Sequence, residues 1–342
     1  MMKPSRLMLA AVAVCGTSAV MAQSSVTIYG RVNTTIEQQK LGDNKATGVA
    51  NNNSRIGFKG VEDLGNGLKA GFQLEAGFGS DDGSGPLTFA RQSEVNLSGN
   101  FGMVRLGNFY PESYYATSDY IGMHNHETGS SSDALYYDAA WFDGNGTGNK
   151  VAYRTPTFNN FWAEASVSLH EKARTGAAAV NKNAYDLAAN YNNGPLSLGA
   201  GYSYWNSNYQ AALRGLYTFG QFTVGAYYQR NKDDNAILGT GAGSRNNFRL
   251  SAMYVLNASE FHVNVGRANK WSNVSDSAAT QWTLGYNYNL SKRTKIYTYY
   301  TRINSGKGMD YSSGAVSFNS IKTGTNAGDN FSSFALGVRH NF

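Results

Sequence analysis

An all-β fold, specifically a transmembrane antiparallel β-barrel of 16 strands, is what this sequence predicts, and three observations carry that reading. Segments of about ten residues alternate apolar and polar side chains from Val26 to the terminal Phe342, the length a tilted strand needs to cross a bilayer. The links between them tend to be short at one end and long at the other. Finally, the polar strand faces are too polar to make a dry core. One late strand sets Trp282, Leu284, Tyr286, Tyr288 and Leu290 against Gln281, Thr283, Gly285, Asn287 and Asn289. A soluble sandwich would bury the apolar face against a second sheet. Lipid instead accepts that face, leaves the polar one to a watery lumen, and forbids free strand edges, so the sheet must close.

The chain opens with MMKPSRLMLAAVAVCGTSAVMA, which has the form of a secretory leader. Lys3 and Arg6 supply the positive start, Leu7 to Val14 the apolar centre, and Val20-Met21-Ala22 a small-residue cleavage site. Residues 1–22 are therefore expected to be removed, leaving a barrel over 23–342. Val14 is too bulky for a lipobox, and Cys15, the chain's one cysteine, leaves with the leader. Neither disulfides nor thiolate metal sites are then available to the mature chain. The formal net charge of +6 falls by two on cleavage, and no arginine-rich run suggests nucleic acid. Later in the chain no run approaches the about 18 apolar residues of a membrane helix. The mean hydropathy of −0.42 looks soluble, as it should when every second barrel residue faces water.

The first strand, from Val26, sets Val26, Ile28, Gly30, Val32 and Ile36 against Thr27, Tyr29, Arg31, Asn33, Thr35 and Glu37. The second, from Arg55, turns Ile56 and Phe58 outward and Arg55, Gly57 and Lys59 inward. After the turn Glu62 to Gly67 a third sets Leu68, Ala70, Phe72, Leu74 and Ala76 against Lys69, Gln73 and Glu75. Further strands are expected near 87–99, 102–108, 149–156, 160–171, 183–193, 195–206, 208–219, 221–232, 245–256, 260–270, 278–290, 293–303 and 330–342. Tight turns are expected at Asn100-Phe101, Asn193-Gly194, Gly220 and Ser291-Lys292. Long links are expected at 38–53, 109–148, 172–182, 232–244 and 304–329.

The stretch 109–148 breaks the pattern. Tyr110, Tyr114, Tyr115, Tyr120, Tyr136, Tyr137, Trp141 and Phe142 lie among Glu112, Asp119, Glu127, Asp133 and Asp138. A patternless segment of this length is usually functional. Its aromatic surface suits packing and its acids suit a wet space, so it is expected to fold back into the lumen and narrow it. The final strand alternates Phe334, Leu336, Val338, His340 and Phe342 to the last residue; it would close the barrel against the first, with Phe342 as an assembly signal.

The blocks QSSVTIYG, SRIGFKGVEDLGNGLKAGFQLEAGF, RQSEVNLSGNFGMVRLG, YRTPTFNNF, NLSKRT and LGVRHNF, spread from Gln23 to Phe342, resemble the general porins of β-proteobacterial type. The resemblance implies a homotrimer of sixteen-stranded barrels in the outer membrane, among lipid and lipopolysaccharide, each pore narrowed by its third outer loop. It implies passive diffusion of small hydrophilic solutes and ions, with anions weakly preferred. It also implies a basic cluster on the wall facing that loop. Arg55 in SRIGF and Arg91 in ARQSEV match two of its positions. Strand parity turns Arg55 inward but gives Arg91 the parity of Val95 and Leu97, so that only a bulge would bring it into the lumen. Asn108 stands where relatives often carry Arg, so the basic ring is expected to be thin.

Parity adds Arg105 to the basic wall of the constriction, and Arg31, Lys59, Lys69 and Arg154 as other lumen-facing cations. Glu112, just after Pro111, and Asp119 are the acids expected from the loop. His124-Asn125-His126-Glu127 is the one metal-like cluster, but a polar loop offers it no second shell, and no metal or cofactor is expected. No block joins Ser, His and an acid as an activated nucleophile needs, so an enzyme is not expected. A substrate-specific channel, for a sugar for example, is the alternative that the tyrosine-rich loop supports.

Overall fold

The computed structural model describes residues 25–123, 129–137, 148–170, 182–234 and 241–342. The expected leader and the His124–Glu127 cluster lie outside them. The strands are β1 (Ser25–Leu41), β2 (Asn44–Asn51), β3 (Arg55–Gly65), β4 (Leu68–Gly77), β5 (Gln92–Gly99), β6 (Gly102–Asn108), β7 (Lys150–Arg154), β8 (Phe161–Ser168), β9 (Ala184–Asn193), β10 (Leu196–Trp205), β11 (Asn208–Phe219), β12 (Phe222–Asp233), β13 (Gly243–Leu256), β14 (Ser259–Ala268), β15 (Ala279–Asn289), β16 (Thr294–Ser305) and β17 (Phe331–Asn341). From β3 onward each pairs antiparallel with its neighbour in sequence, and β17 returns to β1. Both β2 and β3 pair with β1, one along its second half and one along its first, so they are two halves of one strand interrupted at 52–54. The barrel therefore has sixteen strands and closes on itself through β1 and β17.

Alternation explains the wall. Outward positions such as Val26, Ile28, Val95, Leu106, Leu213, Leu250, Leu284 and Leu336 are exposed, whereas inward Asn33, Gln210, Asn247, Gln281 and Thr301 are buried among other polar groups. At the short-turn end, outward rings join into a girdle. Phe219 meets Phe222 at 5.6 Å, Phe222 meets Tyr254 at 4.6 Å, and Phe261 meets Tyr286 at 5.2 Å between centroids. Such belts sit at the headgroup level of the bilayer. Turns at this end are tight: Asn66 and Gly67 both take positive φ, as a two-residue hairpin requires.

The first of the expected long links is absent. The stretch 38–53 is not a long loop: β1 runs on to Leu41 and β2 starts at Asn44, paired through Leu41↔Asn44. Between β10 and β11 the same end is closed by Asn206 and Ser207, both at positive φ. The long-loop end is thus mixed, with two hairpins among the loops at 78–91, 109–149 and 306–330.

Candidate pore constriction

The chain leaves β6 at Asn108 and turns into the lumen at once. Phe109 is buried under cations: Arg105 lies over its ring at 4.0 Å, and Lys150 donates from Nζ to its carbonyl at 2.8 Å. Pro111, extended at φ −63°, starts a short helix, α1 (Glu112–Thr117), whose buried face is Glu112, Ser113, Ala116 and Thr117. That face docks on β9, β10 and β11. The inward residues of β10 there are Gly199, Gly201 and Ser203, and a Cβ on Gly199 would run into the carbonyl oxygen of Ala116. The Ser113 amide donates to Asp186 Oδ1 at 3.1 Å, and its hydroxyl meets that of Ser203 at 2.9 Å. Ile121 then packs with Ala212 and Tyr227.

A second pass is fastened further round the wall. Ser130 donates to Glu37 at 2.8 Å and meets the Tyr299 hydroxyl at 2.8 Å. Gln281 clamps the backbone from both sides, accepting from the Ala134 amide at 3.0 Å and donating to the Ser132 carbonyl at 2.7 Å. Asp133 accepts from Arg249 Nε at 3.1 Å, Leu135 O from Asn247 at 3.0 Å, and Tyr137 O from Gln229 at 2.7 Å. These anchors come from β1, β12, β13, β15 and β16. Sequence reasoning missed them, although Arg245, Asn247, Arg249 and Ser251 carry the signal: polar residues at strict period two on one strand.

Past β1, further round the wall, stand β3 to β5. Arg55 and Arg91 share the Glu75 carboxylate there, through their Nε atoms at 3.6 and 2.7 Å. Arg91 needs no bulge: β5 pairs in regular register and begins at Gln92, so Arg91 sits in the bend before it, where strand parity does not apply. Its guanidinium lies 5.7 Å from the Tyr110 ring. Tyr110, Tyr114, Tyr115 and Tyr136, all half-buried, contact one another edge-on or tilted at 5.4 to 6.5 Å. The loop thus sets tyrosine rings next to the wall arginines.

Glu112 and Asp119 are instead buried between loop and wall, at 7% and 4% exposure. Glu112 pairs with Arg154 at 2.8 Å, and Arg154 also pairs with Glu164 at 2.8 Å. Glu164 in turn meets Arg105 at 3.0 Å, and Arg105 also binds Glu94 from Nε at 3.0 Å. Arg105 is itself 7% exposed, enclosed in this charge chain and not presented to the open lumen. Burial pushes the Glu112 carboxyl up to about 7; Arg154 opposes the shift, and neighbouring Glu164 and Asp186 add to it. Asp119 lies close enough to Arg214 for its charge to act there.

The other predicted residues lie away from the loop. Lys59 is exposed, its ammonium 5.2 Å from the Tyr29 ring, and Arg31 donates from Nε to Asn341 at 3.1 Å toward the short-turn end. Phe342 continues the seam between β17 and β1, exchanging backbone bonds with Gly30 at 3.0 and 3.1 Å while its ring covers that glycine.

The profile of the family described as Gram-negative porin matches residues 9–308. Outer membrane porin protein 32 of Delftia acidovorans is 33% identical, with all of both chains covered. An outer membrane porin protein of Bordetella pertussis is 27% identical over 86% of this chain and 93% of its own. Among solved structures, an anion-selective porin from Comamonas acidovorans superimposes with a TM-score of 0.78 at 29% identity, covering 94% of this chain and 100% of that one. A trimer form of OmpT from Vibrio cholerae, 16% identical with a TM-score of 0.67 over 93% of this chain and 99% of its own, shares the fold. A closed barrel with a girdled outer face, a polar lumen and a loop fastened across it is what the sequence and structure present, and the chain belongs to the Gram-negative porins, the channels of the bacterial outer membrane.

Proposed function

We propose that this porin passes small hydrophilic solutes and ions by passive diffusion, prefers anions weakly, and works as a homotrimer. The observation that carries the anion preference is the pairing of Arg55 and Arg91 around one carboxylate, Glu75, beside a loop whose described acids Glu112 and Asp133 are tied to wall arginines and whose third, Asp119, is buried near Arg214. The preference printed for the Comamonas protein agrees with it. A unit charge about 8 Å from a passing ion is worth about 0.5 kcal/mol in water, and screening at physiological salt reduces this further. A few-fold selectivity follows. In a potassium chloride gradient the reversal potential should carry the anion sign and shrink as salt rises. Arg55→Glu should bring it to zero or beyond, and a wild type already selective for cations would defeat the assignment.

The four touching tyrosines favour one further reading, a sugar-selective channel. In that case a neutral oligosaccharide should block the current reversibly while the reversal potential stays unchanged.

A further inference from the structure

A second concentration of charge lies at the opposite end of the barrel from the long loops. Lys295 on β16 and Arg339 on β17 are directly opposed across the ladder, and both share inward parity with buried Tyr297 and Gly337. Arg31 on β1 pairs with Asn341, two residues beyond Arg339 on the same face. Lys292 and Arg293, in the turn before β16, extend the group to the rim, where a cleft of about 470 Å³ is lined by Glu260, Lys292, Arg293, Lys295 and Arg339 among others.

Two like charges placed directly opposite on a sheet face repel each other, and a third stands one diagonal away. The carboxylates nearby are outnumbered. Glu260 lies 3.6 Å from Lys295 but accepts from Asn287 and Asn289, each at 2.7 Å, and lies beside His262. The terminal carboxylate belongs to Phe342, one register step beyond Arg31. Among the described residues, Lys292, Arg293, Lys295 and Arg339 therefore line an open cleft with one carboxylate, Glu260, and Arg31 stands one diagonal away, on a wall whose repulsion an incoming anion with two or more charges would relieve. A monovalent anion bridging Lys295 and Arg339 would offset less of that repulsion than a divalent one.

We propose that the short-turn mouth, which faces the periplasm, holds a separate site for small polyvalent anions, formed by Lys295, Arg339 and Arg31 with Lys292 and Arg293 at its rim. The recognised chemistry is a compact group with at least two negative charges, either a phosphate or a polycarboxylate. Glu260 keeps Lys295 turned to the cleft. An anion leaving the constriction would meet this site last, and one present in the periplasm would meet it first.

The test is current block in a planar bilayer holding the purified channel, with sidedness fixed by the orientation of insertion. Inorganic phosphate at pH 8, citrate or acetate is added at equal ionic strength to one side at a time. Phosphate or citrate on the periplasmic side should block at lower concentration than on the outer side, and acetate should not block. Block by both, or by only one of the two, supports the site and names the group it reads. The Lys295→Gln, Arg339→Gln double variant should raise the blocking concentration about fivefold, the effect of removing two screened unit charges next to a divalent anion. Arg339→Lys should keep the block, and Lys295→Gln alone should weaken it if the double variant does not assemble. Lys69→Gln, at the same mouth on another strand, should change nothing. Equal block from both sides, or unaltered block in Lys295→Gln, would overturn the proposal. The reversal potential set at Arg55 and Arg91 is read separately, so failure here is distinguishable from failure of the anion preference.

Discussion

Gly199 has no side chain because the carbonyl of Ala116 occupies the space where one would be. Gly199→Ala should therefore push α1 off the wall and into the pore, lowering single-channel conductance. Gly215→Ala, whose new methyl would meet only Leu198 at ordinary contact distance, should leave it unchanged. Glu112 offers a second test at this scale. Its native carboxyl holds a proton up to about 7, against an ordinary value of 4.5, so the folded state binds that proton more tightly than the unfolded chain. The resulting stabilisation is complete below about 4.5 and lost as pH rises to 7. Melting temperature measured from pH 5 to pH 8 should fall more steeply in wild type than in Glu112→Gln; parallel profiles would rule the shift out. Parity in the sequence could be applied to Arg55, because Arg55 lies within a strand, and it set that residue on the face of Gly57 and Glu75. It could not be applied to Arg91, because parity holds only inside a strand and that residue precedes one. It also could not show that Glu112 and Arg105 are enclosed in a charge chain, since Glu94, Glu164 and Arg154 reach them from other strands.

At the scale of elements, the alternation was legible wherever lipid touches the outer face. It faded where the barrel rises above the membrane. Along β1 and β2 the outward residues become Gln38, Lys40, Lys45 and Thr47, so a hydrogen-bonded hairpin looked like a loop. Backbone pairing there needs no apolar side chain. The loop after β6 was legible as an interruption, but its path was not, because its anchors are carbonyls and amides that accept any residue type. The last strand yields the prediction proper to this scale. Phe342 continues the seam through two backbone bonds and covers Gly30, far from the loop. Deleting it should reduce the amount of barrel reaching the outer membrane while each surviving channel keeps its conductance. Normal surface levels would argue against an assembly role.

For the whole molecule, a closed sheet without edges resists fraying, and the family resemblance points to three such barrels together. The unheated protein should run as an oligomer in a detergent gel and the boiled one as a monomer; a monomer band after every gentle extraction would count against the trimer. The manner of closure has a consequence for how the chain comes to be. Every ladder but one joins segments that are neighbours along the chain, so each can form as soon as its hairpin exists. The remaining one, from Arg31↔Asn341 to Leu41↔Phe331, brings together the two ends of the polypeptide. Until that ladder forms, the sheet is a curled ribbon with two live edges, each able to capture a strand from another copy. Closure thus waits on the carboxy-terminal strand: until β17 finds β1, the unsealed ribbon needs shelter from its own kind.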